Sequence, residues 1–238
     1  MSSIRFICLN CIYKHGGEIL VLVRWFGHAC FEIMTSEGLS IVIDPHDGRS
    51  IGIKPPQTHA DIVLITHDHF DHNAYSVVAK PEAEVIHMFV GQREVRGIKI
   101  RGVEAYHDTV KGRRRGRVIL YRIEVEGLSF VHLGDLGHVP DEEQASKLKP
   151  IDILFIPVGG TFTIDADGAW KTIDVLTPRV VIPMHYWIPG LNLPLRPVDD
   201  FVSKAPSTWR VERVDRNYIE LKREALPDKT IIVLSPQT

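Results

Sequence analysis

Between Asp61 and His72 the chain reads Asp-Ile-Val-Leu-Ile-Thr-His-Asp-His-Phe-Asp-His, an apolar run that passes directly into three histidines and two aspartates within six residues. A short β-branched run closed by polar residues signals a buried strand. In extended backbone, residues two apart point the same way, so His67 and His69 can face one metal ion. A turn toward a following helix then brings Asp71 and His72 round to a second. The bland alternative is a solvated polar loop, which has no reason to place three imidazoles and a carboxylate at this spacing.

The same pattern, an apolar run closed by a turn or by charged or histidine-bearing residues, recurs along the chain. Residues 19–25, 39–43, Ile62–Thr66, Val85–His87, Ile98–Ala105, Val118–Val125, Leu128–Leu133, Ile151–Ile156 and Val180–Met184 are expected strands. Helices are expected at 72–79, 141–148, 168–176 and 197–204, with Pro140-Asp141 and Pro197 as starts. Strands dominate, with helices between them, which predicts two packed sheets with helices outside. No repeat and no Ser/Gly linker divides the chain, so 1–238 is read as one domain with its core at 21–225. Residues 1–18 are expected as an N-terminal extension that folds back through Gly16-Gly17. Residues 226–238 are expected as a tail, with Thr230–Ser235 an extra edge strand.

Composition narrows the partners. The chain has 238 residues, 44% of them apolar and 24% charged, which suits a globular core and rules out disorder, collagen and coiled coil. With 28 basic and 30 acidic residues the net charge is −2, so no global field draws the protein to nucleic acid or anionic lipid. Three cysteines, Cys8, Cys11 and Cys30, do not make a disulfide scaffold. No leader pattern and no long apolar span is found, so a cytoplasmic protein without a membrane partner is expected. Histidine is the unusual residue, with 12 copies, and imidazole is the commonest metal ligand.

The run His67-Asp-His-Phe-Asp-His72 after a strand resembles the signature of the metallo-β-lactamase superfamily. Downstream, that resemblance takes in His107 in Glu-Ala-Tyr-His-Asp, Asp135 in His-Leu-Gly-Asp-Leu-Gly and His185 in Ile-Pro-Met-His-Tyr. Trp25-Phe-Gly-His-Ala, Asp44-Pro45, Pro157-Val-Gly-Gly-Thr-Phe-Thr163 and Pro183-Met-His-Tyr186 are similar to a branch of small metal-dependent hydrolases that includes ascorbate-6-phosphate lactonase. The likeness spans residues 21–190 and implies an α+β fold, the four-layer αββα sandwich, with the site at one edge of the two sheets. It also implies two divalent cations, zinc first, with manganese or iron admitted by the same nitrogen and oxygen donors. His67, His69 and His107 would hold one ion and Asp71, His72 and His185 the other, with Asp135 bridging.

A water between two cations ionises near neutral pH, so the resemblance implies hydrolysis by hydroxide, with Asp71 orienting the water and passing a proton to the leaving group. The expected substrate is a small, anionic ester, lactone or phosphodiester. The alternatives are a nuclease, for which a net charge of −2 offers little basic surface, or a non-catalytic metal-binding or sensing protein, for which eroded ligand positions would be expected. The sequence leaves the oligomeric state open.

Other residues carry weaker signals. Asp44 is either a turn former or an acceptor that orients a ligand histidine. His28 is a candidate contact to substrate or to a ligand. His132 reads as a core histidine, and His15, His46, His59, His87 and His138 as structural or exposed. Cys8-x-x-Cys11 with His15 lacks the second pair a zinc site needs. Gly159-Gly160 is expected to bend the chain from a strand into the pocket wall. Lys111-Gly-Arg-Arg-Arg-Gly-Arg117 is either a solvated turn or an anion-attracting flap near His107, in which Arg115 and Arg117 are the candidate substrate contacts.

Overall fold

The computed structural model describes residues 20–237, so the expected N-terminal hairpin and Cys8, Cys11 and His15 lie outside the described residues. One sheet is built from β1 (Val21–Trp25), β2 (Phe31–Met34), β3 (Ser40–Ile43), β4 (Ala60–Ile65), β5 (Ala79–His87) and a late strand, β13 (Tyr218–Leu221). The other contains β6 (Gly91–Val95), β7 (Ile98–Tyr106), β8 (Arg117–Val125), β9 (Leu128–His132), β10 (Ile153–Pro157), β11 (Val180–Met184), β12 (Arg210–Val214) and β14 (Thr230–Leu234). Their orders are β13-β1-β2-β3-β4-β5 and β12-β14-β11-β10-β9-β8-β7-β6.

The sheets meet face to face. Phe31 of β2 stacks on Phe155 of β10 with ring centroids 4.2 Å apart, and the Tyr121 hydroxyl donates to the Ile65 carbonyl at 3.1 Å. β10, β11 and β14 are buried at every position, as strands covered on both faces should be.

Three helices are present among the described residues: α1 (Glu142–Leu148), α2 (Ala166–Leu176) and α3 (Asp199–Val202). Asp141 starts α1 with a capping box, its side chain accepting from Gln144 N while Gln144 returns a bond to the Asp141 backbone. α1 and α2 link β9 to β10 and β10 to β11, each a parallel pair stepping the same way along the sheet. Right-handed crossovers in one direction fall on one face, which leaves the opposite face free for the first sheet. The outside of the first sheet carries a second apolar cluster of Phe26, Cys30, Val42, Ala60, Val63, Ile65 and Val78. Val78, which follows the 3-10 turn at Tyr75–Val77, belongs to that cluster.

Three sequence expectations need correction. Residues 72–79 form no α-helix; a 3-10 turn at Tyr75–Val77 takes its place, and Ala79 already begins β5. The segment is short and held at both sides, since Ala74 N bonds to the Pro45 carbonyl and Ala60 N to that of Val78. Thr230–Ser235 yields an interior strand rather than an edge, because β12 pairs beyond it. β2, β6, β12 and β13 were not expected, since charged residues interrupt their apolar pattern. Within β2, Glu32 is fully buried yet bonded to Arg24, Ser40 and Thr58, so the charge is compensated and the strand persists.

Direction follows from pairing. β3 and β4 run parallel, as do β9, β10 and β11, and β7 is antiparallel to β8, which is antiparallel to β9. Ile119 N bonds to the Thr66 carbonyl across the sheets, which brings the exits of β4 and β7 to the same end of the sandwich. No described helix is long and apolar enough to cross a membrane.

Candidate metal centre

Every residue of the cluster leaves a strand at that end. Asp44 follows β3, His67 lies two residues past β4, His107 follows β7, Asp135 stands three past β9 and His185 follows β11. Asp135 is the hub. Its Oδ2 lies 3.2 Å from both His107 Nε2 and His185 Nε2 and 3.9 Å from His67 Nε2, while Oδ1 lies 3.3 Å from His72 Nε2. All five are buried. The ligating atoms of His67, His69 and His107 lie within 4.8 Å of one another, as do those of His28, His72 and His185. Two three-imidazole groups therefore flank one carboxylate.

Hydrogen bonds behind the cluster set the imidazole tautomers. Asp44 accepts from Thr66 N at 2.8 Å and Thr66 Oγ1 at 2.6 Å, and its Oδ2 lies 3.1 Å from His72 Nδ1. A carboxylate only accepts, so His72 carries a proton on Nδ1 toward Asp44 and turns Nε2 inward. Thr66 has given its single hydroxyl proton to Asp44, so its contact with His67 Nδ1 at 3.0 Å is one in which it accepts. His67 Nε2 then also faces the centre with a lone pair. This Asp44 role is the orienting alternative left open by the sequence.

Electrostatics follow the geometry. Burial pushes His67 well down, with His72 adding to the effect, and pushes His28 down to about 3 with help from His185. Both are neutral. Burial alone would raise the Asp135 carboxyl, but His185 and His72 beside it hold it well below the usual carboxylate range. His72 is raised against its own burial by the charge of Asp135. For Asp71, burial is likewise overcome, here by the hydrogen bond from His28 at 3.0 Å, and the carboxyl stays ionised.

His67 Nε2 and His185 Nε2 are buried and have no hydrogen-bond partner among the described residues. Buried polar atoms are nearly always bonded, so unpartnered imidazole nitrogens converging on an ionised carboxylate fit divalent cations. The donors are all nitrogen and oxygen. Cys30 lies in the apolar cluster outside the first sheet.

Beside His107 opens a cleft of about 450 Å³, lined in part by Asp108, Thr109, Arg114, Arg115 and Phe162. The Arg115 guanidinium sits 4.6 Å from the Phe162 ring centroid. Arg117 does not line this cleft and instead pairs with Glu104 at 2.7 Å. Asp108, which sequence reasoning passed over, organises the arginine loop. Its Oδ1 accepts from Val110 N and Gly112 N at 2.8 Å, and its Oδ2 from Arg114 N and Arg115 N at 2.9 Å. An aspartate directly before a Gly-rich turn was the available signal. Gly159 also matters, because it lies against the His185 carbonyl so closely that a Cβ would overlap it. His132 is a core residue with Nε2 2.9 Å from the Ala29 carbonyl, and His46 is buried with Nε2 3.2 Å from that of Phe26.

The comparisons with known proteins agree with this architecture. The family model described as the β-lactamase superfamily domain matches residues 22–185. A UPF0173 metal-dependent hydrolase of Thermococcus onnurineus is 35% identical over 197 residues, covering 71% of this chain and 87% of that protein. A relative of the same description from Pyrobaculum islandicum is 32% identical over 225 residues, 80% of this chain and 94% of its own. Among solved structures, a Thermotoga maritima protein described as a Zn-dependent hydrolase of the metallo-β-lactamase superfamily superposes with a TM-score of 0.74 at 38% identity, covering 91% of this chain and all of that one. On this evidence the chain belongs to the metallo-β-lactamase superfamily, in its family of metal-dependent hydrolases.

Proposed function

We propose that the chain hydrolyses a small anionic ester, lactone or phosphodiester with two divalent cations, zinc first among them, held around Asp135. The observation that carries this reading is the hub itself, one buried carboxylate with four histidine Nε2 atoms at 3.2 to 3.9 Å. Such cations, when bound, acidify water and polarise the oxygen of a carbonyl or phosphoryl group.

The remaining work falls to side chains. Asp71 is ionised, 13% exposed at its side chain and on the open margin of the cluster, with Oδ2 3.6 Å from His72 Nε2. It is placed to take the proton of the attacking water and return it to the leaving oxygen. Arg115, stacked on Phe162 at the cleft beside His107, supplies a guanidinium for a substrate phosphate or carboxylate. The motif likeness to ascorbate-6-phosphate lactonase makes a phosphorylated lactone the first compound to assay.

The test combines elemental analysis of chelator-free protein with a panel of lactones, thioesters and phosphodiesters. About two ions per chain and turnover of an anionic member are expected, with Asp71→Asn lowering kcat by on the order of 10²-fold. One ion or fewer in replete protein overturns the dinuclear reading.

A further inference from the structure

The geometry points to Asp108 as a positioning residue: it commits its carboxylate to the backbone of the loop from Asp108 to Gly116, so that the guanidinium groups of Arg114 and Arg115 stay free to hold the oxyanionic end of the substrate. This assignment rests on the anionic-substrate reading above and deepens it, since two cations face the cleft and Asp108 and Phe162 set them there.

Five cations stand between Lys111 and Arg117, and a block of like charges repels itself unless the backbone beneath it is fixed. Asp108 fixes it. A carboxylate has about four lone-pair sites. Backbone donors take them all, Val110 N and Gly112 N on Oδ1 and Arg114 N and Arg115 N on Oδ2. Nothing is left for a guanidinium, so the acid shapes the loop without pairing with the arginines. Arg114 and Arg115 both line the cleft beside His107, and neither has a carboxylate partner among the described residues. Arg117, outside the cleft, pairs with Glu104 instead.

The loop is anchored to the cluster. His107 N bonds to the Gly116 carbonyl at 3.1 Å, closing the loop at its base, and Gly137 N bonds to the Tyr106 carbonyl at 2.9 Å. Gly137 lies so close to the backbone of His107 and Asp108 that a Cβ there would overlap it. Phe162 faces the loop across the cleft. Its segment is tied down by Ile164 N on the Leu136 carbonyl at 2.8 Å and by Thr161 Oγ1 on that of Pro194 at 2.7 Å. The ring thus offers the Arg115 guanidinium an aromatic face in place of a counter-ion. A guanidinium stacked in this way keeps the N–H groups in its plane for an oxyanion.

The probe is inorganic phosphate, titrated by calorimetry into metal-replete protein. In Arg114→Gln/Arg115→Gln the dissociation constant is expected to rise at least about 10-fold, the effect of losing charge-assisted hydrogen bonds. Asp108→Ala is expected to weaken phosphate by a similar factor in the wild-type background. In the Arg114→Gln/Arg115→Gln background it should cost less than about 2-fold, because it acts through those side chains. Metal content should stay at the wild-type value throughout. Unchanged phosphate affinity in the doubly substituted protein overturns the inference, since the anion then sits elsewhere. An equal Asp108→Ala effect in both backgrounds, or loss of metal from Asp108→Ala, also overturns it and makes Asp108 a structural residue. If Asp108→Ala fails to fold, Asp108→Asn takes its place: its one carbonyl oxygen can keep about two of the four bonds, and the same dependence on background is expected. The hydrolytic reading fails separately, when the wild type binds phosphate as expected yet turns over no member of the panel.

Discussion

At the scale of the residue, Asp44 reaches two histidines of the cluster through hydrogen bonds. Its carboxylate fixes His72 directly and His67 through Thr66. Asp44→Ala frees both rings to change tautomer or rotate, so metal affinity measured by competition with a chromogenic chelator should fall 10- to 100-fold, the usual effect of losing such an orienting partner. Unchanged affinity would show that packing alone holds the rings. Asp44 was legible in the sequence because it ends an apolar strand and precedes Pro45. Thr66 was not, since its meaning depends on a carboxylate 22 residues away. His28 was visible only as a histidine between Gly27 and Ala29; its convergence with His72 and His185 is a product of the tertiary fold.

At the scale of the element, the loop from Asp108 to Gly116 turns a run of charge into a shaped surface. Four backbone N–H groups close on the Asp108 carboxylate and hold its acid well down, to about 2, against the opposing effect of burial. The arginine run could be read from the sequence, but its division could not. Arg115 turns to Phe162 and Arg117 to Glu104 because strand pairing sets Arg117 beside Tyr106, next to Glu104. Arg115→Gln should therefore raise KM for an anionic substrate several-fold, more at low salt than at high, and leave a neutral substrate nearly unchanged. Equal effects on both substrates would reduce the loop to a solvated turn. The bend after β10 offers a second check. A side chain on Gly159 would strike the His185 carbonyl, so Gly159→Ala should destabilise the protein by about 1–3 kcal/mol and release metal, read by thermal melts and elemental analysis. The Gly-Gly bend was legible, and so was the capped start of α1 at Asp141. The segment 72–79 misled because its helical look was local, while tethers at Ala74 and Val78 come from residues distant in sequence.

Across the whole molecule, buried neutral imidazoles make acid a denaturant. Burial lowers His46 to about 4, against about 6.5 for an unfolded histidine. A group that binds its proton more weakly when folded contributes stability above the unfolded value and loses it as pH falls from 6.5 toward 4. The loss is at most about 3 kcal/mol for this residue. Urea melts of metal-free protein at pH 7.5 and 5 should show a smaller acid penalty in His46→Gln than in the wild type, and an equal penalty would place the acid sensitivity elsewhere. The two-sheet architecture was legible because most strands are apolar runs, and it remained incomplete because the strands carrying charge declare themselves only through their partners. The alternation of strand directions has one more outcome. Arg96–Gly97 and Glu126–Gly127 are tight hairpin turns at the end opposite the histidines, and a Cβ on Gly97 would meet open space. A fusion partner or a permuted terminus placed at Gly97 would thus hang from the idle pole of the sandwich and leave the working pole unobstructed.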